Sequence, residues 1–272
     1  MHDRISVNAL CFLGTPFREL AEYWRELGAR RIGLVTNLLF DEGLDAAQAA
    51  LGTGDYEVEV FSHQFLAGHL APNEASWREP RERLSRAIEF ARKLDARSIY
   101  MVTGGHGDPV LPWEEAAECF RSAIAPCVAE ASAAGVKLMI ECSPTVYAHS
   151  HIAHSLRDTV ALAEIANIGV CIDMFACWTE AGLKETIERA IPRCHVIQVG
   201  DWKYGDRSLP ARAVPGDGVI PLKRMCEWAL NAGYEGAFDL ELLGPRIDQE
   251  GRVKAVGRAA RYMSELLDSL GA

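Results

Sequence analysis

The chain has 272 residues, with 28 Lys and Arg against 38 Asp and Glu and a formal net charge of −10; the overall basic footprint of a nucleic-acid-binding protein is absent. A hydrophobic fraction of 49% with 24% charged residues provides for a large core and excludes disorder as the default state. No uninterrupted apolar run reaches the ~18 residues that cross a bilayer, so no membrane partner is expected.

The opening MHDRISVNALCFLG places Asp3 and Arg4 before a short apolar run and reads as a first strand, ISVNALCFL, rather than as a secretion signal. A helical pattern, PFRELAEYWRELGA, leads to a second strand, RIGLVTN, and a third, YEVEVFSHQ. The helix PRERLSRAIEFARKL then precedes strand SIYMVTGG, and WEEAAECFRSAIAPCVAEASAA precedes strand VKLMIECS. Next come LRDTVALAEIA, strand IGVCIDMF, helix GLKETIERAI, strand HVIQVGDW, helix PLKRMCEWALNAG, strand GAFDLELLG and a last helix, VKAVGRAARYMSELLDSL. Several helices open with Pro or an acid and close at Gly, the asymmetry expected of helix ends.

Eight nearly apolar strands alternating with helices predict an α/β protein with parallel strands buried on both faces: a (β/α)8 TIM barrel, one domain over residues 1–272. An open doubly wound sheet calls for a glycine-rich fingerprint after the first strand, and LCFLGTPF lacks it. The GGHG of residues 104–107 is expected to be a loop at the barrel mouth, or a plain turn, rather than a phosphate cradle. The eight cysteines include no CxxC pair and are expected to be buried thiols of a reducing, cytoplasmic compartment.

In such a barrel, chemistry collects at the C-terminal strand ends. Strands five to eight each end in a side chain with a polar oxygen: Glu141 in KLMIECS, Asp173 in GVCIDMF, Gln198 in HVIQVGDW and Glu241 in FDLELLG. An uncompensated carboxylate in an apolar run costs several kcal/mol. No Lys or Arg stands in a neighbouring strand interior to neutralise three of them, so a divalent cation is the expected counter-charge. The bland alternative is pairing with Arg212, Arg246 or a helix N-terminus. All-oxygen ligation favours Mn²⁺, with Mg²⁺ or Co²⁺ as alternatives, over zinc held by histidine and thiolate.

At these residues the chain resembles the xylose isomerase-like barrels, which include sugar phosphate isomerases/epimerases, hydroxypyruvate isomerases, ketose 3-epimerases, inosose dehydratases and apurinic endonucleases. The resemblance covers nearly the whole chain and rests on IECS, CIDMF, VIQVGDW, RAVPGDGVIPL and GYEGAFDLELLGP. It implies metal ligation by Glu141, Asp173, Gln198 and Glu241. Gln198 stands where ketose epimerases carry His, as in the hydroxypyruvate isomerase branch, and Ala176 stands where relatives carry the His of Asp-x-x-His. The missing histidines and the acidic balance speak against DNA repair.

The implied chemistry is isomerisation or epimerisation of a small sugar or keto-sugar through an enediolate, with Glu141 and Glu241 as acid and base. His63, His106, Trp113 and Arg212 are expected to line the substrate pocket, each with a plain packing or salt-bridge alternative. Trp178 and Trp202 are further stacking candidates, and Asp201 is expected to orient a ligand from behind. The run His149, His151, His154 reads as a solvated loop, with metal binding as the alternative, and His69 as part of a lid. A metal-dependent lyase on the same scaffold, drawing an extra general acid from these histidines, is the second reading, and a non-catalytic sugar-binding barrel the third. A homo-oligomer is expected from the family habit.

Overall fold

The alternation of apolar and amphipathic runs becomes eight strands and eleven α-helices in the computed structural model, which describes residues 1–208 and 210–272. The strands are β1 (Ile5–Asn8), β2 (Arg31–Val35), β3 (Glu57–Gln64), β4 (Ser98–Val102), β5 (Lys137–Glu141), β6 (Gly169–Asp173), β7 (Cys194–Val199) and β8 (Ala237–Leu240). Each pairs in parallel with the next and β8 pairs with β1, which closes a single TIM barrel. The helices are α1 (Phe17–Leu27), α2 (Thr36–Glu42), α3 (Leu44–Leu51), α4 (Glu74–Lys93), α5 (Trp113–Ala134), α6 (Leu156–Ala166), α7 (Met174–Cys177), α8 (Leu183–Ala190), α9 (Leu222–Asn231), α10 (Pro245–Glu250) and α11 (Arg252–Leu270).

Two boundaries differ from the sequence expectation for local reasons. The first strand stops at Asn8, whose side chain accepts the Leu10 amide (2.9 Å) and caps a 3₁₀ turn over Ala9–Phe12. Between β2 and β3, where the sequence pattern gave no helix, the short helices α2 and α3 meet at Gly43, whose φ of +87° suits glycine.

The strands bury both faces. Outward side chains join the helices in the large hydrophobic core, and the barrel interior holds a smaller one of Val60, Tyr100, Met139, Cys171 and Val196 with Leu10 against it. Polar groups bracket that inner core. At the N-terminal strand ends, buried Glu59 meets Arg31 (3.1 Å) and Arg97 (3.4 Å). Between β1 and β8, Asn8 donates to the Asp239 carboxylate (2.6 Å). Asn8 fits only because Gly33 opposes it: a Cβ there would stand 2.6 Å from the Asn8 amide nitrogen. All eight cysteines are free and buried. Among the described residues, no helix is long and apolar enough to cross a membrane.

Candidate active site

The C-terminal rim of β5 to β8 carries the four polar side chains singled out in the sequence. Asp173 is the last residue of β6, Gln198 lies inside β7 opposite Asp239, and Glu241 follows β8 directly. Asp173 and Gln198 are fully buried and Glu241 nearly so, while Glu141, the last residue of β5, is partly open to the cavity above. Glu141, Glu241 and Arg212 line this cavity of about 220 Å³, with Ser143, Pro144, Tyr147 and Ser150 on one bank and Phe175, Pro210 and Leu243 among the rest.

The cation beside these acids comes from the loop after β7 rather than from a strand interior, and it is Arg212, one of the two arginines named in the sequence as alternative partners. Arg212, only 6% exposed, donates from Nη1 to Asp173 Oδ1 (3.0 Å) and from Nη2 to Asp173 Oδ2 (2.8 Å) and Glu241 Oε1 (2.8 Å). Its guanidinium lies over the Phe175 ring, 4.6 Å from the centroid. The other Glu241 oxygen accepts from the Gln198 amide, whose own oxygen accepts from the Cys171 thiol. Arg246, the second arginine considered as a partner, is spent on Asp206 instead.

The local sequence builds this placement. The Arg212 amide donates to the Leu243 carbonyl (2.9 Å), and Ala213 exchanges two hydrogen bonds with Asp201, so the segment is stitched to the continuations of both β7 and β8. The Asp201 carboxylate accepts the amides of Trp202, Gly216, Gly218 and Ile220 at 2.8–3.0 Å. It therefore shapes the PGDG loop rather than backing a ligand. Gly200 leaves room for the arginine: a Cβ there would approach Arg212 Cδ to 3.1 Å and the Glu241 carbonyl to 3.0 Å.

One guanidinium does not balance three carboxylates. Desolvation, with Glu241 and Asp173 repelling it, raises the Glu141 carboxyl well above the ordinary range. Burial pushes Glu241 up to about 7, against the pull of Arg212. Burial opposes the charge on Arg212, but Asp173 and Glu241 outweigh it and raise its pKa. One layer below, burial pushes Asp239 up to about 7 although Asn8 and Ser6 stabilise its charge.

These observations bear on a divalent ion. Excess negative charge and a Glu141 carboxylate with no hydrogen-bond partner among the described residues fit a cation site, and the all-oxygen donors suit a hard ion. As the side chains stand, the guanidinium fills the space between Asp173 and Glu241. No three His, Cys, Asp or Glu side chains among the described residues close on a common point. The donor types therefore suit a hard ion, while Arg212 and the Gln198 amide now occupy both Glu241 oxygens.

Other expected site residues lie elsewhere. His63 is buried at the end of β3, its Nδ1 3.0 Å from the Thr36 hydroxyl, and burial lowers its pKa to about 3; it does not line the cavity. Trp113 opens α5 and spends its indole N–H on the Ile152 carbonyl (2.9 Å), packing one loop on another. His106 lies beside His154, at 6.2 Å between ring centroids, outside the cavity lining. Trp178 and Trp202 face each other at 6.1 Å and likewise stay outside the lining. The GGHG segment is a mouth loop: Gly105 pairs with His69, and Gly104 donates to the Ser150 carbonyl. His69 thus belongs to a loop-to-loop bridge.

The histidine run is a solvated loop only at His149, which is exposed. His151 is fully buried and His154 partly so, with the His154 ring nitrogens 3.1 Å from the carbonyls of Ser143 and His151. Burial lowers His151 to about 3, so its ring is neutral. The sequence reading missed Ser143, Tyr147 and Phe175; their position two to six residues past a polar strand end was the available signal.

The sequence profile of the xylose isomerase-like TIM barrels matches residues 21–266. No curated protein matches the chain. Among solved structures, a protein of Sinorhizobium meliloti 1021 is 23% identical, with a TM-score of 0.84 over 97% of this chain and 98% of its own. The IOLI protein, crystallised with a bound zinc atom, is 16% identical, with a TM-score of 0.82 over 98% and 99%. D-psicose 3-epimerase of Clostridium cellulolyticum H10, solved with D-tagatose, is 15% identical, with a TM-score of 0.76 over 98% of each chain. At these identities the likeness shows the shared barrel, and epimerases are among the proteins built on it.

Proposed function

Because the chain belongs to the xylose isomerase-like TIM barrel family, we propose that it is a divalent-metal-dependent isomerase or epimerase of a small sugar or keto-sugar. The observation that carries this reading is the convergence of Glu141, Glu241 and Arg212 on one small cavity, with Asp173 and Gln198 bonded beneath them and, among the described residues, only one cation for three carboxylates. Glu141, Asp173, Gln198 and Glu241 would hold the ion, Mn²⁺ first, with Mg²⁺ or Co²⁺ as alternatives. A bound ion supplies Lewis-acid polarisation of a carbonyl oxygen.

The chain's own residues supply the proton chemistry. A base works best with a pKa near the operating pH; in the metal-free chain burial raises Glu241 towards that range, and a bound ion would favour its charged, proton-accepting form. Glu141 and Glu241 rise from β5 and β8, three strands apart around the ring, and present two carboxyl groups to the cavity. One removes the proton next to a substrate carbonyl to give an enediolate. Return by the other carboxyl to the opposite face gives an epimer, and return by the same carboxyl to the neighbouring carbon gives an aldose–ketose isomer. Ser143, Tyr147 and Ser150 offer hydroxyls to a polyhydroxylated ligand, and a cavity of about 220 Å³ suits a small one. The lyase alternative took its general acid from His63, His106 or the 149–154 run. None of those histidines lines the cavity, which favours isomer chemistry.

The test is exchange in deuterated water. With Mn²⁺ and a panel of keto-sugars, substrate C–H positions are expected to exchange, read by NMR, with product mass changed only by deuterium. Glu141→Gln is expected to slow exchange at least about a hundredfold, the usual scale of general acid–base catalysis. Loss of water from the substrate, or exchange that survives Glu141→Gln, would refute the proposal.

A further inference from the structure

The buried His151 has no place in the proton chemistry, yet it touches the strand that carries Glu141. The β4–β5 ladder runs from Ser98 opposite Lys137 to Met101 opposite Ile140 and stops there, although both strands continue for one more residue. In a regular parallel ladder the next rung would run from the Thr103 N–H to the Glu141 carbonyl. Here an imidazole is spliced into it. The Thr103 N–H donates to His151 Nδ1 (3.1 Å), and His151 Nε2 lies 2.8 Å from the Glu141 carbonyl oxygen. A backbone donor on Nδ1 leaves the ring proton on Nε2, where it donates to that carbonyl. The Thr103 hydroxyl donates away to the Gly104 carbonyl (2.7 Å), so it does not compete as a donor.

The splice holds β4 and β5 apart by the width of a ring at the rim. Val102 and Glu141, the last residues of those strands, both line the cavity. No side-chain partner among the described residues holds the Glu141 carboxylate, so its aim depends on where its backbone is held. With both ring nitrogens engaged by the backbone, His151 has no lone pair left for a metal.

We propose that His151 is a positioning residue for Glu141, a wedge in the β4–β5 ladder that sets the site of the Glu141 carboxylate within the ligand ring. The proposal rests on the reading of Glu141 as a metal ligand, and the probe is Mn²⁺ alone, with the full-length protein. His151→Phe keeps the bulk and removes both hydrogen bonds, and His151→Ala lets the missing rung form. Both are expected to weaken Mn²⁺ binding, measured by the electron paramagnetic resonance of the free ion, about tenfold, the scale found for groups that orient a ligand. His151→Asn, which retains an acceptor and a donor, is expected to recover part of that loss. Glu141→Gln is the control and is expected to weaken binding more than any of them.

If Glu141→Gln weakens Mn²⁺ binding and the His151 variants do not, the wedge is overturned while the metal reading stands. If Glu141→Gln binds Mn²⁺ like the wild type, the metal reading has failed and the proposal falls with it. A measurement on the unmutated protein covers variants that do not fold. A scalar coupling across the hydrogen bond from the Thr103 amide nitrogen to His151 Nδ1 is expected, and its absence overturns the splice.

Discussion

The two ends of this barrel bury acids in opposite ways. At the N-terminal end of β2 to β4, three arginines, Arg30, Arg31 and Arg97, meet three acids, Asp55, Glu57 and Glu59. At the C-terminal end, among the described residues, Arg212 alone meets Asp173 and Glu241, with Glu141 beside them unpaired. The lower cluster is balanced in charge and open to water at Arg30 and Asp55, as expected of a structural plug. The upper one is unbalanced and enclosed. In the metal-free chain the raised carboxyls of Glu141 and Glu241 relieve part of that imbalance by holding protons, and under the proposed function an ion takes their place.

The largest expected effect breaks the upper end. Arg212→Met leaves three clustered carboxylates with no cation, and the metal-free protein is expected to lose about 3–5 kcal/mol of stability, the usual cost of stranding a buried charge. Urea unfolding with a chelator, near pH 8, measures it, and added Mn²⁺ is expected to restore more stability to this variant than to the wild type. The matching change below, Arg97→Met, leaves Glu59 with Arg31; a half-exposed ion pair of that kind is worth about 1 kcal/mol or less. Equal losses at both ends would remove the distinction.

Stability against pH sharpens the same contrast. Glu241 and Asp239, each at about 7, and Glu141, also raised, hold protons more tightly in the folded chain than in the unfolded one. The stability they contribute is complete below the ordinary carboxylate range and drains away as pH rises through about 7. The melting temperature of the metal-free protein is expected to fall between about pH 5 and pH 8, by about 2–4 °C for each kcal/mol lost. Saturating Mn²⁺ is expected to flatten the profile, and a melting temperature that rises over this range would contradict the assignment.

The smallest of the upper-end effects comes from crowding. Gly200→Ala places a methyl group against Arg212 and the Glu241 carbonyl and is expected to cost about 1–3 kcal/mol, as overpacking does. Arg212→Ala in the same chain removes the Cδ and guanidinium atoms that the methyl meets. A double-mutant cycle is therefore expected to show the two losses adding to less than their sum.

Much of this was legible in the sequence because its signals are local. Eight short apolar runs separated by amphipathic ones dictate a parallel barrel, and an acid or amide that interrupts such a run marks the rim, as Glu141, Asp173, Gln198 and Glu241 do. Arg212 was named in the sequence as an alternative partner, but which acids it meets was not legible. Arg212 reaches Asp173 through a loop whose path depends on Asp201 collecting four amides and on Gly200 staying small. The role of His151 depends on which rung the β4–β5 ladder lacks, and that register is fixed only when the barrel closes. Trp113 and His63 looked like pocket residues because sequence gives the rim level but not the direction of a side chain.

The anchoring of the Arg212 loop gives the cavity one fixed bank and one adjustable bank. Asp201 and the Leu243 carbonyl tether the cationic side to two strands, whereas the opposing Ser143, Tyr147 and Ser150 ride on a connector between a strand and a helix. Under the proposed function, exchanging residues 143–150 among homologous barrels while His151 is kept is therefore the route to a new substrate preference that leaves the electrostatic engine untouched.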